Sequence, residues 1–188
     1  MKRVITGHDD DGHSIFRSTD EFLPTVESPV VDWFEAWATY RDDEVPIDAS
    51  PATSRDRYSD RHPTFPAAGE TFFRVLEFHP TDWAPDPETI ARLSESLPGL
   101  AEHMEPEDPG MHTTDSVDFG VILEGEITLE LDEGKQERLR AGDVFVQNGT
   151  RHAWRVDQTC RMAVVLTGLP RRGALIAPST RPFAAGCR

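Results

Sequence analysis

The chain has 188 residues, 37% of them hydrophobic, and a formal net charge of −15 at pH 7. This length and apolar content suit one domain with a sizeable core and exclude a wholly disordered chain. The negative charge argues against nonspecific binding to nucleic acid or to an anionic membrane. With no membrane-length apolar run, no signal peptide and only Cys160 and Cys187 as thiols, we expect a cytoplasmic protein with reduced cysteines.

The chain divides into three parts by pattern. Residues 1–70 are rich in loop-forming residues and contain two predicted strands, 3–6 and 30–39. We expect this N-terminal arm to pack on the main domain, 71–169, and the tail 170–188 to lie over the surface. The aromatic strand 30–39 is the segment that we expect to pair across the interface of a homodimer, where it would cover an exposed sheet edge.

A short helix is predicted between two strands. Residues 71–79 are β-branched and aromatic, which is typical of a strand buried on both faces. Residues 86–100 then show helical periodicity, with Asp86 as the N-cap and Pro87 in the first turn. One apolar face is formed by Ile90, Leu93, Leu97 and Leu100. The helix is either a lid over a pocket or a plug over the end of a barrel.

From residue 117 the pattern predicts consecutive strands with tight turns. Glu124-Gly125, 132–134 and Asn148-Gly149 are turn signals that separate short alternating segments. Strands at this spacing indicate an all-β sandwich or barrel.

Two histidines and a carboxylate fall at favourable places in these strands. His112 enters a strand, Asp118 lies on the next extended stretch, and His152 begins the strand after the Asn148-Gly149 turn. If the strands close into a barrel, the three side chains converge inside it. Two histidines and a carboxylate with open positions suit Fe(II), and also Mn, Ni or Zn.

Residues 109–154 resemble the signature of the cupin family. Gly125 corresponds to the closing glycine of the first cupin motif. Counting back from it places Asp118 at the glutamate position, Thr114 at the second histidine and His112 at the first. In the second motif, Gly142-Asp143 is the opening, 147–149 replaces Pro-x-Gly one residue early, and His152 matches the histidine.

The departures from the family pattern concern the metal ligands. Of the four ligands that the resemblance implies, two histidines stand, the glutamate is shortened to Asp118, and a histidine is replaced by Thr114. The site is therefore a three-ligand centre of His112, Asp118 and His152, or it has lost its metal and His152 and Asp118 are hydrogen-bonded inside the barrel.

The resemblance implies a single cupin double-stranded β-helix, which is a jelly-roll barrel, with an N-terminal arm and one short inserted helix. Segments 3–9 and 111–127 also look like a subgroup of small single-domain cupins, many of which have no assigned reaction. The residues expected to line the substrate pocket are Thr114, Phe145, Gln147 and Trp154.

Three functions are compatible with this pattern. The first is a metal-dependent enzyme with His112, Asp118 and His152 as ligands and catalytic residues, dioxygenase-like or lyase-like, acting on a small aromatic or keto-acid-like substrate. The second is a metal-free isomerase or dehydratase in which His112 and Asp118 perform acid–base catalysis. The third is a protein that binds a small ligand without turnover. No motif for a nucleotide cofactor or for nucleic acid is present.

Overall fold

The computed structural model describes residues 1–50, 57, 63–80 and 87–172. The predicted cap Asp86, Cys187 and most of the predicted tail lie outside these residues. Most of the regular secondary structure of the described residues is β-strand, which confirms the all-β prediction. The strands are β1 Lys2–His8, β2 Ser14–Glu21, β3 Val31–Thr39, β4 Thr71–Phe78, β5 Ser116–Glu124, β6 Glu126–Glu130, β7 Gln136–Arg140, β8 Val144–Asn148, β9 Ala153–Arg155 and β10 Cys160–Gly168.

Two antiparallel sheets form the body of the protein. The larger has the order β3-β4-β10-β5-β8, the smaller has the order β7-β6-β9, and β1 and β2 form a separate hairpin. Strand β10 alternates between buried and partly buried positions along its whole length. Its inward side chains meet those of the smaller sheet, including Ile127 and Trp154, in one core cluster. The core and its cavity therefore lie between the two sheets.

The connection between β5 and β6 requires a glycine for two reasons. Gly125 has φ 76°, in the left-handed region that disfavours other residues. A Cβ atom there would also lie 2.5 Å from the carbonyl oxygen of Thr159. Gly125 thus lets the chain pass from the larger sheet to the smaller one against the start of β10.

The predicted helix 86–100 is divided into α1, Pro87–Ser96, and α2, Leu100–His103. The break falls at Pro98-Gly99, where proline cannot continue a helix and Gly99 adopts φ 84°. Leu97 is buried, and Leu93 and Leu100 pack against the core. These three leucines of the predicted apolar face therefore cover one side of the space between the sheets.

The N-terminal region contributes more regular structure than its sequence indicates. The predicted strands 3–6 and 30–39 correspond to β1 and β3, whereas β2 was not predicted because most of its side chains are exposed and show no apolar alternation. Strand β3 pairs with β4 at the edge of the larger sheet, and Trp33 is buried in the core. That this strand pairs with a second copy of the chain stays a prediction.

In the described part of the chain, no helix is long and apolar enough to cross a membrane. The cytoplasmic location stays a prediction. Cys160 is a buried free thiol, and burial together with nearby Glu126 raises its pKa to about 11. At neutral pH it is therefore protonated and a weak nucleophile, in keeping with a packing role.

Candidate functional site

A cavity of about 130 Å³ lies in the barrel interior between the two sheets. This is close to the volume of a cavity that holds one benzene ring. Leu93 and Leu100 of the helical segment and Met104 beyond it contribute to its wall, so the insertion closes the space from one side. The predicted site residues that line it are His112, Asp118, Phe145, His152 and Trp154.

The two histidines, called the histidine pair below, are joined by their own backbones. The N–H of His112 donates to the carbonyl of His152 at 2.9 Å, and the N–H of His152 donates to the carbonyl of His112 at 2.9 Å. Residues that exchange two such bonds lie directly opposite each other and point to the same side. The imidazole centroids are accordingly only 4.1 Å apart.

Both imidazoles have the same orientation relative to the backbone. Nδ1 of His112 lies 3.0 Å from the carbonyl oxygen of Gly110, and Nδ1 of His152 lies 3.0 Å from that of Thr150. A carbonyl only accepts, so each Nδ1 carries the proton and each Nε2 has a free lone pair. Neither Nε2 forms a hydrogen bond with the part of the chain that the structure describes. Histidines that bind metals are held in this way.

Burial keeps both imidazoles neutral. It lowers the pKa of His152 to about 3, with a further contribution from His112. Burial also lowers the pKa of His112; the carbonyl of Gly110 opposes the shift and His103 adds to it. Only the neutral imidazole can donate a lone pair to a metal, so the site does not have to lose protons at neutral pH before it binds one.

Asp118 faces the same cavity from β5. Burial raises its pKa to about 6, although the hydroxyl of Ser116, which donates to Asp118 Oδ1 at 2.6 Å, and the charge of Arg74 both lower it. A carboxyl group with this pKa exists in both protonation states near neutral pH, which is what an acid–base catalyst requires.

The three predicted ligands do not form a compact set of donor atoms. The nitrogen and oxygen atoms of His112, Asp118 and His152 do not all lie within 4.8 Å of one another. The histidine pair therefore fits two positions of a metal centre. Asp118 supplies a carboxylate to the same cavity, but its oxygen atoms are too far from the histidine nitrogen atoms for the three residues to form a compact ligand set.

A second group of ligand-type side chains lies outside the cavity. Donor atoms of Asp32, Glu77 and His79 all lie within 4.8 Å of one another, and all three side chains are partly exposed. Asp32 already accepts a bond from the backbone N–H of Ser28 at 3.0 Å and lies 3.1 Å from Nε2 of His79. The carboxylate of Glu77 is paired with Arg161. The existing contacts thus account for these three side chains.

Phe145 and Trp154 form an aromatic wall of the cavity, with ring centroids 4.9 Å apart. Trp154 also meets His152 edge-on at 5.8 Å. Gly120, which pairs with Phe145 across β5 and β8, makes room for the ring, because a Cβ atom at Gly120 would overlap it. The wall is therefore built from residues of both sheets.

The other two predicted pocket residues are buried but do not line the cavity. Thr114 is hydrogen-bonded to the hydroxyl of Ser116 at 3.0 Å. The amide of Gln147 donates to the carbonyl of Thr150 at 3.0 Å, and so fixes the turn before His152. Both residues bond to groups that also contact site residues, since Ser116 bonds to Asp118 and Thr150 bonds to His152.

Among the cavity residues that sequence reasoning did not predict, Arg74 is the charged one. Its side chain is fully buried, and its Nη2 lies 3.0 Å from Glu35 Oε1 on the neighbouring strand. The signal that was available is a single arginine in the middle of the apolar segment 71–79, which was predicted to be buried on both faces. We call Arg74, Glu35 and Asp118 the arginine cluster.

Two facing sheets around a cavity that contains paired histidines define a cupin-type barrel. The family model for the cupin domain matches residues 101–167. Oryzines biosynthesis cluster protein J of Aspergillus oryzae is 30% identical over 166 residues, which cover 82% of this chain and 74% of that protein. The chain belongs to the cupin superfamily.

Two further relatives are similar over the same share of the chain. Phomopsin biosynthesis cluster protein C' of Diaporthe leptostromiformis is 34% identical over 158 residues, covering 81% of this chain and 69% of that protein. The cupin-domain-containing oxidoreductase fogC of Aspergillus ruber is 31% identical over 157 residues, covering 81% of this chain and 62% of that protein.

Proposed function

We propose that this protein is a metal-dependent cupin oxidoreductase that acts on a small organic molecule inside the barrel. The observation that carries the proposal is the histidine pair, with both Nδ1 atoms bound to backbone carbonyls and both Nε2 atoms free. One relative is named an oxidoreductase, which supports this class of activity. Two others are named as proteins of biosynthesis clusters, which is consistent with a small organic substrate.

His112 and His152 would hold a divalent ion of Fe, Mn, Ni or Zn, and Asp118 is the carboxylate that we propose as the third ligand. When bound, such an ion polarises substrate oxygen or activates dioxygen or water. Phe145 and Trp154 give the substrate an apolar surface, and Leu93 and Leu100 of the helical insertion cover one side of the cavity. Asp118 can hold or release a proton at its carboxylate near neutral pH. Of the two reaction types that the sequence suggests, dioxygenase-like and lyase-like, the dioxygenase-like one is an oxidoreductase reaction, and a small aromatic or keto-acid-like substrate fits this setting.

The test is elemental analysis of protein purified without chelator. The samples are the wild type, His112→Ala, His152→Ala and the matched control His79→Ala, which removes a histidine from the outer group. We expect about one metal ion per chain in the wild type and the control, and none in the two cavity variants. Unchanged metal content in both cavity variants would contradict the proposal. Loss of metal from His79→Ala alone would show that the metal is bound by the outer group of Asp32, Glu77 and His79.

A second candidate is a metal-free isomerase or dehydratase that uses His112 and Asp118 for acid–base catalysis. It is favoured by the spread of the three donor atoms beyond 4.8 Å and by the pKa of about 6 at Asp118. Its signature is a bell-shaped pH–rate profile that a chelator does not change. Turnover that disappears with chelator and returns with one added metal would exclude it.

A further inference from the structure

Arg74 brings a charged group with an unused hydrogen-bond donor to the cavity. Its side chain has no exposure to bulk solvent and it lines the cavity from β4. Nη1 donates to the carbonyl of Thr64 at 2.7 Å. Nη2 forms an ion pair with Glu35 Oε1 at 3.0 Å, and Nε has no hydrogen-bond partner. A buried donor without an acceptor is costly, so Nε is the donor that an acceptor in the cavity would satisfy.

A second unused donor lies at the same place. The indole Nε1 of Trp33 is buried without a hydrogen-bond partner, and Trp33 lines the same cavity. The guanidinium of Arg74 lies over the Trp33 ring at 4.7 Å and over the Phe72 ring at 5.6 Å. These rings hold its plane in one orientation. The cavity thus combines a fixed cationic fork with a neighbouring N–H, and both need acceptor atoms.

Two carboxylates of the chain compete for this charge. Glu35 reaches only Nη2, through one oxygen, and Asp118 is engaged by Ser116 at 2.6 Å. Neither forms a hydrogen bond with Nε. A planar guanidinium edge matches the paired oxygens of a carboxylate or of a phosphate, and the carboxylate is the smaller of the two groups. Apart from Arg74, Asp118 and the histidine pair, the wall is formed mainly by apolar side chains, and the volume of about 130 Å³ accommodates one ring.

Building on the proposed function, we propose that Arg74 determines specificity by binding the carboxylate of the substrate. The substrate class is then a small carboxylic acid whose apolar body is about one ring in size. Arg74 receives the carboxylate, and the ring lies against Phe145 and Trp154. Trp33 supplies the additional N–H from the same wall.

Benzoate is the probe, and benzamide is its neutral analogue of the same shape. Binding is measured by calorimetry on metal-free full-length protein for the wild type, Arg74→Lys, Arg74→Met and the control Arg161→Lys, which changes an arginine on the outer face. Lysine keeps the charge but not the planar fork. We expect benzoate to bind the wild type and the control alike, at least tenfold more weakly to Arg74→Lys, and not measurably to Arg74→Met. Benzamide should bind weakly and equally to all four.

A third variant keeps the test decisive if the Arg74 variants do not fold. Glu35→Gln leaves Arg74 intact and removes the negative charge nearest to it, so benzoate should bind at least threefold more tightly than to the wild type. Absence of benzoate binding to the wild type, equal binding of benzoate and benzamide, or full binding by Arg74→Lys would overturn the proposal, as would unchanged binding by Glu35→Gln. Metal content measured on the same variants reports separately on the proposed function.

Discussion

The histidine pair lines the same cavity as Arg74 and Asp118 of the arginine cluster, but the two groups are held in place by different forces. His112 and His152 are fixed by backbone hydrogen bonds and are neutral. Arg74, Glu35 and Asp118 come from three strands of the larger sheet, and side-chain contacts and charge hold them together. The first group is oriented by strand geometry, and the second depends on a charge balance. The two should therefore respond differently to substitution and to pH.

The largest effect should follow from breaking the arginine cluster. Arg74→Leu leaves Glu35 buried without its cation, and removal of one partner from a buried pair costs about 3–5 kcal/mol. Urea unfolding at neutral pH gives the free energy of unfolding. The double variant Arg74→Leu, Glu35→Leu removes both charges and should recover much of the loss. A double variant no more stable than the single one would show that the charge balance is not what Arg74 supplies.

A change in the shared apolar wall should have an intermediate effect. Gly120→Ala places a methyl group where the ring of Phe145 lies, and such overpacking costs about 1–3 kcal/mol. The same substitution in a Phe145→Leu background should cost clearly less, because the ring is gone. Thermal unfolding of the wild type, the two single variants and the double variant measures the coupling between positions 120 and 145. Equal costs in both backgrounds would mean that the ring and Gly120 are not in contact.

The smallest effects are opposite pH dependences of the two groups in metal-free protein. The pKa of His152 is lowered from 6.5 to about 3 on folding, so below pH 6.5 the unfolded chain binds a proton that the folded chain does not. His152 therefore lowers the free energy of unfolding as the pH falls below 6.5. The pKa of Asp118 is raised from 3.8 to about 6, so its contribution is present below pH 3.8 and is lost as the pH rises through 6.

The measurement is the free energy of unfolding at pH 5.5 and pH 7 for the wild type, His152→Gln and Asp118→Asn. Between pH 5.5 and pH 7 the free energy of unfolding of His152→Gln should change by about 1 kcal/mol less than that of the wild type. The reason is that the variant lacks the imidazole whose protonation favours the unfolded chain at the lower pH. In Asp118→Asn the difference should have the opposite sign and a similar size. Shifts of the same sign in both variants would contradict the assigned pKa values.

The two groups also differ in how far the sequence predicts them. The motif spacing predicts that His112 and His152 lie close together, and in the structure the two residues face each other in one antiparallel β-bridge. The placement of Arg74 depends on which face of β4 turns inward and on a partner from β3, so its role is set by pairing distant in sequence. The sequence pattern also predicts Thr114 and Gln147 as pocket residues. Neither lines the cavity, because their side chains are hydrogen-bonded to Ser116 and Thr150, and the pattern does not show these contacts.

The most direct test of the central claim is nitrogen NMR of protein labelled with ¹⁵N-histidine, titrated with Zn²⁺. Before metal is added, His112 and His152 should both carry their proton on Nδ1, since each Nδ1 faces a backbone carbonyl. On titration the Nε2 signals of these two residues should shift, with saturation at about one ion per chain, while His79 stays unchanged. A proton on Nε2 in either residue, or a response at His79 alone, would contradict the account.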